Sequence, residues 1–458
     1  MHTHVHSARW RWAGLVAGLS LVLAACTTAS PTPGGGGGAS AGASAAASTD
    51  GTAGGPVVML STQLGPEEEQ ASMRDAILTG FDGEVEFVAS ADAGVIAEQI
   101  QAQGEAGEGD ASLIGALHGE FSTFATEDYL IDLSDLATEL ADVGIDENFL
   151  ELGRLGTDQQ LYIPWMQATY IMAARTEALD YLPDGADVND LTWEQLTEWG
   201  ANISEGEGTR ALGFPAGPDG LWHRWFQGYG YPAFTGGVNT TFGGDSAVEM
   251  WSWLTDTWQY VNPQSTTYSE MSTPLQSGEV WVAWDHTARL ITALQDQPDD
   301  IIAFPTPAGP EGTAFMPVVA GLGIPTWAPN PEGAREVIRH LLLGETQAIT
   351  LTEVAFFPVI SGDLPSDLEP GVQAEQDAVA AQTARDDALP SLLPVGLGDQ
   401  GNAYNQVFRD AFQAIVLDGN DPAAVLESQL ANLQAVFDSS GAACWPPDPP
   451  SDGPCQAQ

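Results

Sequence analysis

From Val57 onward, short apolar runs alternate with segments patterned for helices, and that alternation restricts the chain to an α/β architecture. VVML at 57–60 precedes PEEEQASMRDAILTGF, where Met73, Ile77 and Phe81 recur four apart on one helical face. EVEFVAS at 84–90 follows, then a helix through Val95, Ile96, Gln99 and Ile100, then ASLIGAL at 111–117 as a third buried strand. Further on, Thr192-Trp193-Glu194-Gln195 fits a capping box opening a helix. Asn330 and Pro331 suit the N-cap and first turn of a helix whose Val337, Ile338, Leu341 and Leu342 share a face. Val407, Phe408, Ala411, Phe412, Ile415 and Val416 outline another amphipathic helix. Asp421-Pro422 opens the last, carrying Val425, Leu426, Leu430, Leu433 and Phe437. At 458 residues the chain can hold two domains with their own cores, and a hydrophobic content of 43% excludes wholesale disorder.

The charge balance is lopsided: 63 acidic residues stand against 12 basic ones, all arginine, for a formal net charge of −51. Such a surface repels nucleic acid and anionic lipid. The acids are dispersed along the chain, as suits a secreted protein whose self-repulsion is screened by high salt. A cationic ligand is the other reading the acidity allows.

Arg9 and Arg11, the apolar stretch Ala13–Ala25 and then Leu23-Ala24-Ala25-Cys26 resemble a bacterial lipoprotein signal with its lipobox. That resemblance implies cleavage after residue 25 and lipid on Cys26, which would hold the protein at the outer face of the cytoplasmic membrane. His2, His4 and His6 fall in the removed segment and are not read as a metal site. Residues 26–56, rich in Thr, Ser, Ala, Pro and Gly, form a flexible linker. In an exported protein Cys444 and Cys455 read as a disulfide that closes a small proline-rich loop.

Taken in order, several segments resemble the extracellular solute-binding proteins of ABC importers, family 1, the sugar binders that include maltose-binding protein. GDASLIGALHGEF is similar to the family's strand before its first ligand loop, and DYLIDLSDL to its Leu-x-Asp-Leu segment. DQQLYIPWMQATYIMAART resembles the Tyr-Gly-Leu-Pro strand and the crossing after it. TWEQLTEW, LQSGEVWVAWDH, IIAFPTPAGPEG and VVAGLGIPTWAPNPEGAREVIRHLL match later family segments in the right order. The resemblance covers nearly all of 57–437. It implies a periplasmic-binding-protein-like fold of type II: two α/β lobes, a hinge crossed more than once and a ligand cleft between. Lobe 1 would comprise 57–166 and 318–345, lobe 2 167–317 and 346–440, and 441–458 would be a tail. A monomer with no cofactor and no metal, closing on a sugar and then engaging the permease subunits, is what this family implies.

Sugars present apolar C–H faces for aromatic stacking and hydroxyls for carboxylates and amides. By position in the family, Trp222 and Tyr404 fall near stacking aromatics, each with core packing as the alternative. Trp225 falls near a buried tryptophan. Thr62 and Gln63, at the end of the first strand, are placed for hydroxyl contacts. No acid follows Pro164, where the family carries a hydroxyl binder, so Trp165, Gln167 and Thr169 are the candidates there. Ile114-Gly115-Ala116 stands where the first lobe's aromatic is expected, which leaves the sugar and its length open. In GEVWVAWDH, Trp281 and Trp284 are three apart and point to opposite faces of a strand. Trp281 is expected to pack on a helix, Trp284 and Asp285 to reach the cleft. A carbohydrate-active enzyme is the remaining alternative, but the chain has no nucleophile elbow, His-Glu-x-x-His or phosphate-binding loop, and His118, His223 and His286 are isolated.

Overall fold

The computed structural model describes residues 55–91, 93–145, 147–360 and 368–458. Cys26, with the leader and linker, lies outside them. Twelve strands occur in chain order: β1 Val57–Ser61, β2 Val85–Ala89, β3 Ala111–Leu117, β4 Ile163–Ala168, β5 Tyr170–Arg175 and β6 Leu212–Gly213. They continue with β7 Val282–His286, β8 Ile301–Phe304, β9 Thr313–Phe315, β10 Val318–Gly323, β11 Phe357–Pro358 and β12 Ala388–Pro390.

β1, β2 and β3 run parallel, and the helix Ala93–Ala106 connects β2 to β3, as the sequence pattern requires. β10 pairs antiparallel with both β3 and β4, which completes a six-stranded sheet in the order β11-β4-β10-β3-β1-β2. β3 is buried on both faces over Ala111–Ala116, which explains its largely apolar run. The second lobe is built on a four-stranded sheet, β6-β7-β5-β8, and β9 pairs with β12 beside it. Trp193, Trp199, Trp225, Trp251 and Trp284 are fully buried in this lobe, so its core is largely aromatic.

Helix ends follow the local chemistry of the sequence. Thr192 Oγ1 accepts from Gln195 N at 3.2 Å while Gln195 Oε1 accepts from Thr192 N at 2.9 Å, opening the helix Trp193–Glu207. Asn330 Oδ1 caps Pro331–Leu341 through Gly333 N, and Asp421 Oδ1 caps Pro422–Ser440 through Ala424 N, both at 3.0 Å.

Only Thr169 separates β4 in the first sheet from β5 in the second. Its hydroxyl donates to Met316 O at 3.0 Å, on the segment that returns to the first lobe, and so two crossings are tied together. One boundary differs from expectation. The chain stays with the first lobe beyond 345, because β11 pairs with β4 and the helix Gly344–Val354 packs on Met73–Ile77. The buried Gln347 amide decides it: Nε2 donates to Trp165 O and Leu341 O, and Oε1 accepts from Val359 N. Moving that segment would orphan three backbone groups at once.

The tail is folded in. Cys444 and Cys455 form the expected disulfide. Asp448, 2% exposed, accepts from Val238 N, Asn239 N, Asn239 Nδ2, Thr240 N and Thr240 Oγ1 at 2.6–3.1 Å. Asp448→Ala is expected to cost at least about 3 kcal/mol in urea unfolding, since several buried donors lose a charged acceptor together.

Glu375, on the helix Pro370–Thr383, is fully buried and neither carboxyl oxygen has a partner. Burial holds its carboxyl well above the usual carboxylate range. The folded state therefore keeps a proton that the unfolded chain releases, and this contribution to stability is lost as pH rises above about 4. Glu375→Gln should match the parent's melting temperature near pH 4 and exceed it by a margin that widens toward pH 8, measured by calorimetry.

Candidate functional site

β1 and β3 end side by side, and the cleft begins there. Beyond Leu117 the chain turns into the helix His118–Thr126, whose Glu120 folds back on the strand end. Glu120 Oε2 accepts from Leu117 N at 2.7 Å and from the Thr62 hydroxyl at 2.6 Å. Gln63 Nε2 donates to Thr62 Oγ1 at 3.2 Å. The carboxylate is thus held from both strands through Oε2, and Oε1 has no hydrogen-bond partner among the described residues.

Opposite stands the second lobe. Arg224 Nη1 donates to Gln227 Oε1 at 2.8 Å, and Gln227 Nε2 donates to Asn405 Oδ1 at 2.9 Å. Between these walls lies a cavity of about 200 Å³, lined by Leu117, Gly119, Glu120 and Thr123 from the first lobe. The second lobe contributes Arg224, Leu393, Pro394, Leu397, Gly398, Gly401 and Asn405. A Cβ at Gly119 would fall 2.2 Å from Pro394 O, so glycine is what lets the lobes approach this closely.

Burial pushes the Glu120 carboxyl up, opposed by its hydrogen bonds to Thr62 and Leu117 and by the charge of Arg224. The Arg224 guanidinium is drawn down by burial, with Glu120 among the groups that counter it, and it stays charged. A second pair of opposite charges acts across the lobes without forming an ion pair among the described residues. Glu69, on the helix after β1, is raised to about 6 by burial, while Arg289, on the helix after β7, pulls it down.

The three isolated histidines are neutral at pH 7. Burial lowers His118 to about 4 and His286 to about 3. His223 is lowered by burial and then by Arg224, Arg409 and Arg289. Arg409 Nη2 lies 3.0 Å from its Nδ1. Among the described residues, no group of three or more His, Cys, Asp or Glu side chains could hold a metal ion.

The residues expected from the sequence divide sharply. Thr62 touches the carboxylate that faces the cavity, and Gln63 stands one contact behind it. The others are placed elsewhere. Trp284 is fully buried, stacked on Tyr170 at 4.8 Å and 6°, with Tyr229 and Trp222 edge-on at 5.2 and 5.8 Å. Trp222 lies in the same layer, stacked on Trp225 at 4.9 Å. Asp285 is also fully buried. Its Oδ1 accepts from His286 N and its Oδ2 from Met271 N, and burial raises it to about 7.

Tyr404 is buried with its hydroxyl on Asn239 Oδ1 at 2.8 Å, one residue from the cavity-lining Asn405. Trp165 is buried in the first lobe, and Gln167 Nε2 donates to Pro358 O at 3.1 Å. Trp281 precedes β7, half-buried, with its ring 6.1 Å from that of Tyr181. Strand alternation does separate the two tryptophans, but both sheet faces are covered, and the face of Trp284 meets an aromatic layer. Glu120, Arg224 and Asn405 were not singled out in the sequence. Glu120 lies three residues beyond a strand end, where an open α/β sheet binds its ligand.

The family model described as bacterial extracellular solute-binding protein matches residues 65–348. The chain belongs to that family, which places it outside the cytoplasm as a binding protein. Its fold is that of the GacH receptor of Streptomyces glaucescens, solved unliganded and with acarbose: TM-score 0.65, 17% identity, 84% of this chain and 99% of that one. Maltose-bound MalE3 of T. maritima gives 0.66, at 16% identity over 83% and 99%. UgpB from Mycobacterium tuberculosis, in complex with glycerophosphocholine, also gives 0.66, at 19% over 84% and 99%. No curated protein matches the chain by sequence.

Trp284→Ala is expected to destabilise the second lobe by about 3–5 kcal/mol, the usual cost of emptying a buried tryptophan site. Thermal or urea unfolding measures it.

Proposed function

We propose that the protein is the substrate-binding component of an ABC importer, capturing a carbohydrate in the cavity between its lobes and presenting it to the permease on closure. The observation that carries this reading is the paired wall. Glu120 offers an acceptor from the first lobe, and Arg224 and Asn405 offer donors from the second, across a cavity of about 200 Å³. A solute touching both walls binds the closed state better than the open one, which is the condition for driving closure. Thr62 and Gln63 support the Glu120 carboxylate, and the buried tryptophans act as scaffold. Solved relatives holding acarbose and maltose are consistent with a sugar. The lipobox-like Leu23-Ala24-Ala25-Cys26 supports lipid attachment at Cys26, with the monomer tethered at the outer face of the cytoplasmic membrane. A polyamine or betaine fits less well, because Arg224 would face its positive charge.

Thermal-shift screening of the purified protein in molar salt tests the proposal. A sugar at about 100 times its dissociation constant should stabilise by about 2.7 kcal/mol. Glu120→Ala should abolish that shift. Stabilisation by putrescine or betaine and by no sugar would overturn the reading.

A further inference from the structure

Arginine is scarce in this chain, with 12 against 63 acids, so an arginine without an acidic partner does not reflect a shortage of carboxylates. Arg154, Arg175, Arg335, Arg339 and Arg385 all form ion pairs. Among the described residues Arg224 forms none, nor do Arg74, Arg210, Arg289 and Arg409, and of these five only Arg224 lines the interlobe cavity. Its one side-chain acceptor is Gln227 Oε1, which leaves about four of the five guanidinium N–H donors uncommitted to other side chains.

The opposite wall joins the Glu120 carboxyl to the start of a helix. The nine-residue helix His118–Thr126 begins at the cavity, with Leu117, Gly119 and Glu120 in the lining. The first N–H groups of a helix lack intrahelical partners and the macrodipole is positive at that end, and here Glu120 Oε2 already accepts from Leu117 N. No aromatic ring lines the cavity among the described residues, so a neutral pyranose would find no stacking platform. A cavity of about 150 Å³ holds one benzene ring, so about 200 Å³ accommodates one ring or a short chain.

We propose that the solute is a small polyol or sugar bearing an acidic group, with that group on Arg224 and its hydroxyls on Glu120 and Asn405. This rests on the reading of the cavity as the solute site. Phosphate and carboxylate share the chemistry a guanidinium fork recognises. Glu120 Oε2 is occupied by Thr62 and Leu117, and Oε1 is the open acceptor for a hydroxyl. The chain as a whole, at a net −51, repels anions, so capture of one depends on a local positive site such as Arg224.

Calorimetric titration with matched pairs tests the proposal: glucose against glucuronate and glucose 6-phosphate, and glycerol against glycerol 3-phosphate. The unsubstituted protein should bind at least one acid-bearing member at least about tenfold tighter than its neutral partner. The glucuronate and phosphate arms separate the two acid types. Arg224→Gln should remove that advantage, and Arg224→Lys should retain part of it. Equal or tighter binding of the neutral members, or a preference that survives Arg224→Gln, would overturn the inference and leave sugar capture standing. Binding of no member of any pair, nor of any other sugar, would overturn both. The matched-pair comparison needs no variant to fold.

Discussion

The two lobes share one nearly continuous length of chain, β4 running into β5 with Thr169 between, and the geometry of the cleft depends on that junction. A strand carries side chains to alternate faces, so a bend here sets the orientation of everything that follows. The junction is buried and held by hydrogen bonds. Thr169 donates to Met316 O on the returning segment, and Tyr229 Oη accepts from Tyr170 N at 3.0 Å. Tyr229 belongs to the segment that carries Arg224 and Gln227, so one stretch of chain both clamps the crossing and supplies the cleft wall. The Tyr170, Trp284 and Trp222 layer lies directly beneath. Rings packed this densely permit few alternative arrangements, which suits a wall that has to present polar groups at fixed positions.

Electrostatics work at two scales. Over the whole surface the acids give hydration and self-repulsion, a balance that salt adjusts. Inside the cleft, individual groups matter more than the sum. Glu69 and Glu120 come from the first lobe, and Arg289 and Arg224 from the second. Buried or half-buried charges are screened less than surface ones, so these attractions across the lobes lose less of their strength in salt than those of the exterior. Opposite signs on opposite lobes favour approach.

Much of the fold was legible because it rests on local chemistry. The Thr192, Asn330 and Asp421 caps act over three residues, and the apolar run at Ala111–Leu117 needs only a strand buried on both faces. The disulfide between Cys444 and Cys455 joins residues separated by 11 positions. The lobe boundary after 345 was not legible, because Gln347 chooses its lobe through Trp165 O, 182 positions away. The site divided in the same way. Thr62 was expected to make hydroxyl contacts at a strand end, and the partner its hydroxyl meets there is the Glu120 carboxylate. Trp222, Trp284, Asp285 and Tyr404 were the residue types that sugars use, yet they are also the types a core or a buried hydrogen-bond network uses.

By itself, then, the sequence determined the α/β class, the order of elements, several helix starts and the acidic character, since each depends on neighbours in the chain. Only the tertiary structure decided which polar groups face one another across the lobes. Glu120 and Arg224 are 104 positions apart, and no periodicity links them. Whether an aromatic ring meets solute or core depends on what covers its face of the sheet, and that covering layer is brought from distant segments.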